Sequence, residues 1–290
     1  MLRLPAGRLL LAFSGGPDST GLAAALRGRD VVLGYCDHRL RGERASRRER
    51  ASVERAAAAL GMPLVRTRLA LRGSGEREAR EARFRALIRL ARRERCAAIL
   101  LAHTADDRAE TILLHLLRGA GIRGLAGMPA KSRRSGSLLL RPALGWRRAE
   151  LRAHATGIGV VDDGSNRSSR YGRARIRGLL LPAIAARLGE DPVPLLCALG
   201  DAARVVRARV EQAESACGAR PVPAPLLASR VERLRRAAGV VGPSLGAAHY
   251  LAIASLLAGG GAAGAAMRGP RGETWARAPD GALRVTSGPS

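Results

Sequence analysis

With 290 residues, of which 47% are hydrophobic and only 2% aromatic, the chain is long enough for a catalytic domain with an aliphatic core and a smaller second unit. It has no run of about 18 uncharged apolar residues, no secretory leader and no CxxC pair, which excludes a membrane protein and a disulfide scaffold and predicts a cytoplasmic chain with free thiols. The net charge of +26 favours a polyanionic partner such as RNA, although 49 of the 50 basic residues are arginine, as coding bias would also produce.

Short apolar strands alternate with helices in the first half of the chain. This order predicts an α/β fold with a doubly wound parallel sheet of the Rossmann-like kind, in which ligands bind at the carboxyl ends of the strands. Residues 118–136 are predicted to form a loop. The strands are predicted at residues 8–13, 30–36, 64–71, 97–102 and 138–140, and the helices at 19–26, 43–60, 76–95, 106–117 and 146–155.

The pattern then changes to helices alone, after a polar, turn-forming stretch at residues 160–173. We therefore predict a catalytic domain at residues 1–165 and a smaller, mainly helical region at 166–290 that binds the RNA partner. A short β-hairpin is expected near the C-terminus, around residues 263–285. The helices of this region are predicted at residues 174–188, 192–217, 231–238 and 244–257.

A glycine-rich string, Ser14-Gly15-Gly16-Pro17-Asp18-Ser19, joins the first predicted strand to the first predicted helix. Glycines let backbone N–H groups approach a phosphate closely, and a helix N-terminus adds about half a positive charge. The string lacks the Gly-Lys-Ser/Thr of a Walker A loop, so the backbone must hold the phosphates. A carboxylate beside an anion needs a cation between them, so Asp18 predicts Mg²⁺. The competing interpretation is an ordinary Gly-Pro turn.

A second polar string runs from His103 to Thr111 and opens the helix after the strand at residues 97–102. Asp106 lies in the first turn, where a carboxylate interacts favourably with the helix dipole. Asp107, Glu110 and Thr111 share one helix face. Such a cluster binds either Mg²⁺ or a cationic substrate, and the competing interpretation is a capped helix with a solvated charged face.

The first string resembles the signature of the PP-loop ATP pyrophosphatases, which cleave ATP to AMP and pyrophosphate. Combined with residues 103–111 and the following residues 117–128, it closely resembles the tRNA(Ile)-lysidine synthetase family. The resemblance covers about residues 8–185. Departures are Arg39, where the family has Gly, and Ala174, where it has Asn. Other segments similar to family motifs are residues 37–41, 78–84, 141–144, 163–166 and 173–177.

This resemblance implies that ATP, L-lysine and the wobble cytidine of an isoleucine tRNA give lysidine, AMP and pyrophosphate. It implies that Ser14, Gly15, Gly16, Pro17, Asp18 and Ser19 bind the ATP phosphates and that Asp18 and Asp107 bind Mg²⁺. The lysine amine requires a carboxylate that binds its ammonium form or takes its proton, and the roles of Asp106, Asp107 and Glu110 stay open. The catalytic candidates are Asp18, Asp106, Asp107, Arg80, Arg83 and Arg173, with Arg80 or Arg83 on the α-phosphate. Candidate tRNA or phosphate contacts are Arg118, Arg123, Arg173, Arg175 and Arg177.

Rival interpretations are another PP-loop tRNA-modifying enzyme such as a thiolase, an amide-forming synthetase, and an RNA-binding protein with an inactive nucleotide fold. Thiolases of this kind generally need reactive or cluster-binding cysteines, and no suitable pair is visible in the sequence. The sequence leaves the oligomeric state open and is compatible with a homodimer.

Overall fold

A computed structural model describes residues 3–37, 42–69, 76–159, 172–217, 231, 253, 266–269, 273–277 and 283–286. The chain divides into two compact units, one formed by Met1–Gly119 and Ala126–Gly200 and the other by Ala120–Leu125 and Asp201–Ser290. The predicted domain boundary at residues 165 and 166 lies outside the described residues and stays a prediction. No helix in the described ranges is long and apolar enough to cross a membrane.

A six-stranded sheet forms the centre of the first unit, with strand order β3-β2-β1-β4-β6-β5. Every neighbouring pair is parallel except β5 and β6, so the predicted parallel α/β sheet is confirmed. The short apolar segments form buried strands because helices cover both faces. The strands are β1 (Leu9–Ala12), β2 (Val31–Asp37), β3 (Leu64–Arg68), β4 (Ala98–Leu100), β5 (Lys131–Arg134) and β6 (Ser137–Leu140).

The helices follow the predicted order, with ends that differ from the prediction by a few residues. Those with described bounds are α1 (Pro17–Ala25), α2 (Gly42–Leu60), α3 (Glu76–Arg93), α4 (Ala105–Leu117), α5 (Ile122–Leu125), α6 (Arg148–Ala153), α7 (Gly172–Arg175), α8 (Leu181–Leu188) and α9 (Pro192–Cys217). Alternate residues of the strands point to opposite faces. Leu9 and Leu11 therefore pack with α1, α2 and α6, whereas Leu10 packs with α3.

Two local predictions were wrong. The segment at residues 118–136 is not one loop, because it contains α5 and the edge strand β5, whose four residues Lys-Ser-Arg-Arg lack the apolar pattern of a strand. A turn at Ser135 and Gly136, both with positive φ, folds β5 back on β6. The helix predicted at 174–188 is α7 and α8 separated by a π-helical turn, Ile176–Leu180.

The second unit contains a three-stranded antiparallel sheet where a two-stranded hairpin was predicted. Its strands are β7 (Ala266–Arg268), β8 (Thr274–Arg277) and β9 (Leu283–Thr286), in that order. The side chain of Trp275 in β8 is fully buried. Apart from Val231 and Ile253, the helices predicted at 231–238 and 244–257 lie outside the described residues.

Candidate active site

The glycine-rich string forms a tight turn between β1 and α1. Gly15 has a φ of +73°, a conformation that glycine adopts without strain. The Ser14 and Ser19 hydroxyl oxygens lie 3.2 Å apart, and the Ser19 hydroxyl donates to the Gly16 carbonyl at 3.0 Å. The predicted phosphate loop therefore has its expected place, at the carboxyl end of a central strand.

The N-terminus of α1 is suited to bind an anion. Its N-cap is Gly16, which provides no side-chain cap, and Pro17 occupies the first turn. First-turn N–H groups have no partner inside a helix, and the helix dipole adds positive charge there. Asp18 is the acidic residue in that turn, and its carboxylate contacts Arg152 Nε at 2.6 Å.

The N-terminus of α4 lies after β4 and is closed by a capping box. The Asp107 carboxylate accepts from the backbone N–H of Thr104 at 2.9 Å, and the Thr104 hydroxyl accepts from the Asp107 N–H. Burial raises the pKa of Asp107, but the Arg148 guanidinium and the Thr104 N–H outweigh it and hold this pKa below its usual value. Asp107 is therefore an anion at neutral pH.

Asp18 of the glycine-rich string and the acidic face of α4 both contact one guanidinium group, that of Arg148 in α6. Arg148 Nη2 lies 2.8 Å from Asp107 Oδ1 and 3.0 Å from Glu110 Oε1, while Nε lies 3.7 Å from Asp18 Oδ2. Burial lowers the pKa of Arg148, but Asp107 and Glu110 outweigh burial and raise it. The PP-loop aspartate and the acidic face of α4 thus belong to one site.

Glu110 is the most deeply buried acid of this site, with only 2% of its side chain exposed. Arg177 binds both of its carboxylate oxygens, at 2.7 and 2.9 Å. Arg177 is carried by the π-helical turn, a feature that occurs often at functional sites. Since a buried carboxylate is costly without partners, Glu110 depends on Arg148 and Arg177 for its charge compensation.

Asp106 has a different neighbourhood from Asp107, although the two are adjacent in sequence. Its carboxylate accepts from the backbone N–H of Arg148 at 2.6 Å and from the Arg147 guanidinium at 3.1 Å. Burial raises the pKa of Asp106, but these two hydrogen bonds outweigh it and lower that pKa. Asp106 therefore holds the start of α6, and its catalytic role stays a prediction.

Close packing of α6 against α1 also positions Arg148 and Arg152. A Cβ at Gly21 in α1 would overlap the carbonyl oxygen of Leu151 in α6. Leu151 itself is fully buried in the core on this face of the sheet. A glycine at residue 21 thus allows α6 to lie directly on α1.

A cluster of cationic side chains surrounds Arg80. Burial lowers the pKa of Arg80, and the nearby charges of Arg83, Arg173 and Arg134 lower it further. Arg80 and Arg134 both lie over the Phe84 ring, at 5.3 and 4.5 Å from its centroid. Arg173 also donates to the Thr111 hydroxyl at 3.2 Å. Mutually repelling guanidinium groups of this kind favour an anionic ligand such as a phosphate.

His103 interacts electrostatically with both Asp107 and arginines of the cationic cluster. Burial lowers its pKa to about 4; the nearby Asp107 opposes this shift, and the charges of Arg141, Arg80 and Arg83 add to it. Its buried Nδ1 has no hydrogen-bond partner within the described ranges. His103 is therefore a neutral imidazole at physiological pH.

This depressed pKa predicts acid sensitivity of the fold. Between pH 6.5 and 4 the unfolded chain binds a proton at residue 103 that the native chain does not, so stability is complete above pH 6.5 and falls as the pH falls. The loss amounts to about 3 kcal/mol by pH 4. Chemical denaturation at pH 7 and pH 4 measures this loss, and His103→Gln is expected to make the pH dependence shallower. An unchanged pH dependence in His103→Gln would contradict the prediction; His154→Gln is the control.

The remaining predicted tRNA contacts have different surroundings. Arg118 and Arg175 are exposed, whereas Arg123 lies 3.6 Å from Glu211 within the second unit. Arg175 lines an apolar groove of about 520 Å³ with Leu114 and Leu117 of α4, residues of the π-helical turn, and Ala183 of α8. Arg118 and Arg175 are therefore accessible to a polyanion, and all three contacts stay predictions.

The donor set fits the predicted Mg²⁺, although its charges are balanced by arginines. Asp18 and Asp107 provide hard carboxylate oxygens, and Mg²⁺ in nucleotide sites uses one or two carboxylates together with substrate phosphates. Both carboxylates contact Arg148. No group of three or more His, Cys, Asp or Glu side chains suited to a metal occurs in the part of the chain that the structure describes. These residues therefore fit Mg²⁺ only together with a nucleotide.

Sequence reasoning missed the arginines of α6. Arg148 and Arg152 are four residues apart and so share one helix face, which was the available signal. Their partner Asp18 is 130 or more residues earlier in the chain, as the pairing of Asp18 with Arg152 shows. No local string could reveal this pairing.

Comparisons with known proteins show which proteins this chain resembles. A family model described as a PP-loop domain matches residues 2–184. A tRNA(Ile)-lysidine synthase of Novosphingobium aromaticivorans is 46% identical over 186 residues, covering 61% of this chain and 56% of the relative. One of Salinispora arenicola is 43% identical over 214 residues, covering 70% of this chain and 63% of the relative. The chain thus spans about three fifths of these relatives' length, and the resemblance to their family is confirmed.

A solved structure shows the same fold at low sequence identity. It is a U34-tRNA thiolase from Methanococcus maripaludis with its [4Fe-4S] cluster. The TM-score is 0.54 and the identity 14%, over 69% of this chain and 72% of the thiolase chain. This likeness concerns the fold alone.

Proposed function

The chain belongs to the PP-loop family, and from this premise we propose that it uses ATP to join L-lysine to C2 of the wobble cytidine of tRNA(Ile) with a CAU anticodon. The observation that carries the proposal is that Asp18, Asp107 and Glu110 all contact the guanidinium of Arg148. A phosphate loop and a buried acidic pocket then face the same reacting base. The relatives named tRNA(Ile)-lysidine synthase support the choice of substrates.

The first half-reaction activates the base. The cytidine O2 attacks the α-phosphorus of ATP, and the bond to pyrophosphate breaks. Backbone N–H groups of the string at residues 14–19 stabilise the charge of the departing pyrophosphate. Mg²⁺, when bound by Asp18 and Asp107, neutralises phosphate charge. Arg80 and Arg83 lie in the cationic cluster that suits the α-phosphate.

The second half-reaction needs a bound amine. Lysine's ammonium has a pKa of about 10.4, so little neutral amine is present at pH 7. Asp107 and Glu110 form an anionic pocket that binds this ammonium. The lysine nitrogen attacks C2, AMP leaves with the former O2, and the nitrogen loses a proton. We assign the proton to Asp107, the more exposed acid, at 17% against 2%.

Binding of tRNA is supported by charge. The net charge of +26 attracts a polyanion, and neutralised phosphates release counterions. We propose Arg118 and Arg175, both exposed, as backbone contacts. An anticodon loop presents unstacked bases, for which arginine planes substitute for scarce aromatic side chains. We further propose a cytoplasmic protein, with homodimerisation open to a sedimentation measurement.

The thiolase alternative is less well supported by the cysteines. Burial raises the pKa of Cys36 to about 11, and it does the same for Cys96. A thiol with a raised pKa is a poor nucleophile at neutral pH. Neither residue therefore has the reactive character that sulfur transfer requires.

One assay tests the proposal. The purified chain is incubated with ATP, Mg²⁺, radiolabelled lysine and a tRNA(Ile) transcript with a CAU anticodon. We expect label in the tRNA and pyrophosphate release that requires both lysine and tRNA. Release that depends on a sulfur donor would establish the thiolase. Binding of tRNA without any release would establish an inactive RNA-binding protein.

A further inference from the structure

Arg148 is the only side chain in the described contacts that touches both the PP-loop aspartate and the acid pair of α4. Arg152 contacts Asp18, and Arg177 contacts Asp107 and Glu110, but neither contacts both sides. Arg148 is also largely buried, with 14% of its side chain exposed. Its guanidinium is therefore a physical connection between the proposed nucleotide site and the proposed amine site.

Guanidinium groups contact both acids of α4, at Oδ1 of Asp107 and at both oxygens of Glu110. Glu110 accepts from Arg177 through both oxygens and from Arg148 through one. A substrate ammonium therefore reaches Glu110 only if one arginine withdraws. Arg177 forms the two-point contact, which is the stronger geometry, so Arg148 is the group that withdraws.

The guanidinium of Arg148 can form a second set of contacts, on the side of Asp18. Its Nε is buried without a hydrogen-bond partner in the described part of the chain, and it lies 3.7 Å from Asp18 Oδ2. A buried donor without a partner is costly, so a new acceptor on this side is favourable. Phosphates bound at the N-terminus of α1 bring such acceptors, together with negative charge, to the side of Asp18.

We propose that Arg148 couples the two sites: bound nucleotide phosphates draw its guanidinium toward themselves, on the side of Asp18, and so release Glu110 for the substrate ammonium while Asp107 holds Mg²⁺. The inference rests on the proposed function for the identity of the amine as lysine. The coupling implies an order of binding, in which the nucleotide binds first and makes the acid accessible to the lysine ammonium. By linkage, lysine strengthens nucleotide binding by the same factor.

The test measures lysine affinity by calorimetry, with and without α,β-methylene-ATP and Mg²⁺. In the wild-type protein we expect the analogue to strengthen lysine binding about fivefold or more. In Arg148→Gln the ratio is expected to fall close to one. The nucleotide-free variant should also bind lysine more tightly than the nucleotide-free wild type, because the competing guanidinium is gone. A purely structural role would not produce that gain.

Matched variants separate coupling from loss of charge. Arg152→Gln and Arg177→Gln each remove one contact partner of the acids, and we expect their affinities to change while the ratio persists. Arg187→Gln, on the exposed face of α8, controls for net charge. Arg148→Lys keeps the charge but loses the fork geometry, so it should give an intermediate ratio, and it carries the test if Arg148→Gln does not fold.

The outcomes distinguish the two proposals. A wild-type ratio in Arg148→Gln or Arg148→Lys overturns the coupling, as does a ratio near one in the wild-type protein, and both leave lysine as the amine. Failure of the wild-type protein to bind lysine in either state overturns the coupling and the proposed function together.

Discussion

Replacing Asp18 with Asn is expected to lower tRNA- and lysine-dependent pyrophosphate release by about a thousandfold. The carboxylate lies in the first turn of α1 and contacts both Arg148 and Arg152. Asn keeps the shape but removes the charge that holds these arginines and the proposed Mg²⁺. The measurement is steady-state release of pyrophosphate at saturating ATP.

A measurement of tRNA binding distinguishes a chemical role of Asp18 from a structural one. We expect Asp18→Asn to bind the transcript within a few-fold of the wild-type protein, because phosphate contacts on the surface are unchanged. Asp30→Asn, which loses a surface pair with Arg8, is the control and should keep full activity. Equal losses of tRNA binding and of pyrophosphate release in Asp18→Asn would show that Asp18 only maintains the fold.

Replacing Glu110 with Gln is expected to lower the free energy of unfolding by about 3 kcal/mol. The substitution removes the carboxylate of Glu110 from Arg148 and Arg177 and leaves Asp107 to compensate both guanidinium groups. Breaking a buried ion pair by removing one partner costs more than the pair itself contributes. Urea denaturation measures the change.

The same variant probes the amine pocket. If Glu110 binds the lysine ammonium, Glu110→Gln raises the KM for lysine far more than the KM for ATP. Glu190→Gln, on an exposed side chain, should change stability by less than about 0.5 kcal/mol. Wild-type stability in Glu110→Gln would mean that solvent, not arginine, compensates this carboxylate.

Local strings predicted the phosphate loop and the acidic face of α4 because a few adjacent residues carry the whole signal in each. Ser14 to Ser19 need only a strand before them and a helix after them, and Asp107 and Glu110 need only helical spacing. Periodicity likewise predicted the parallel sheet, since its strands are buried apolar runs.

What the sequence did not reveal depends on contacts between distant segments. Arg148 resembles any other arginine of a chain with 50 basic residues, and only the packing of α6 brings it to Asp18. The charged strand β5 was missed because its pairing with β6, not its composition, makes it a strand. The separate surroundings of Asp106 and Asp107 also arise from α6.

Gly21, which has no side chain, sets the spacing between α1, which carries Asp18, and α6, which carries Arg148 and Arg152. A methyl group there would push α6 outward as a rigid rod, and Arg148 and Arg152 would move away from Asp18 together. A residue with no functional side chain thus fixes the geometry of the proposed site, and we expect its replacement to abolish the proposed activity although every acid and arginine of the site is retained.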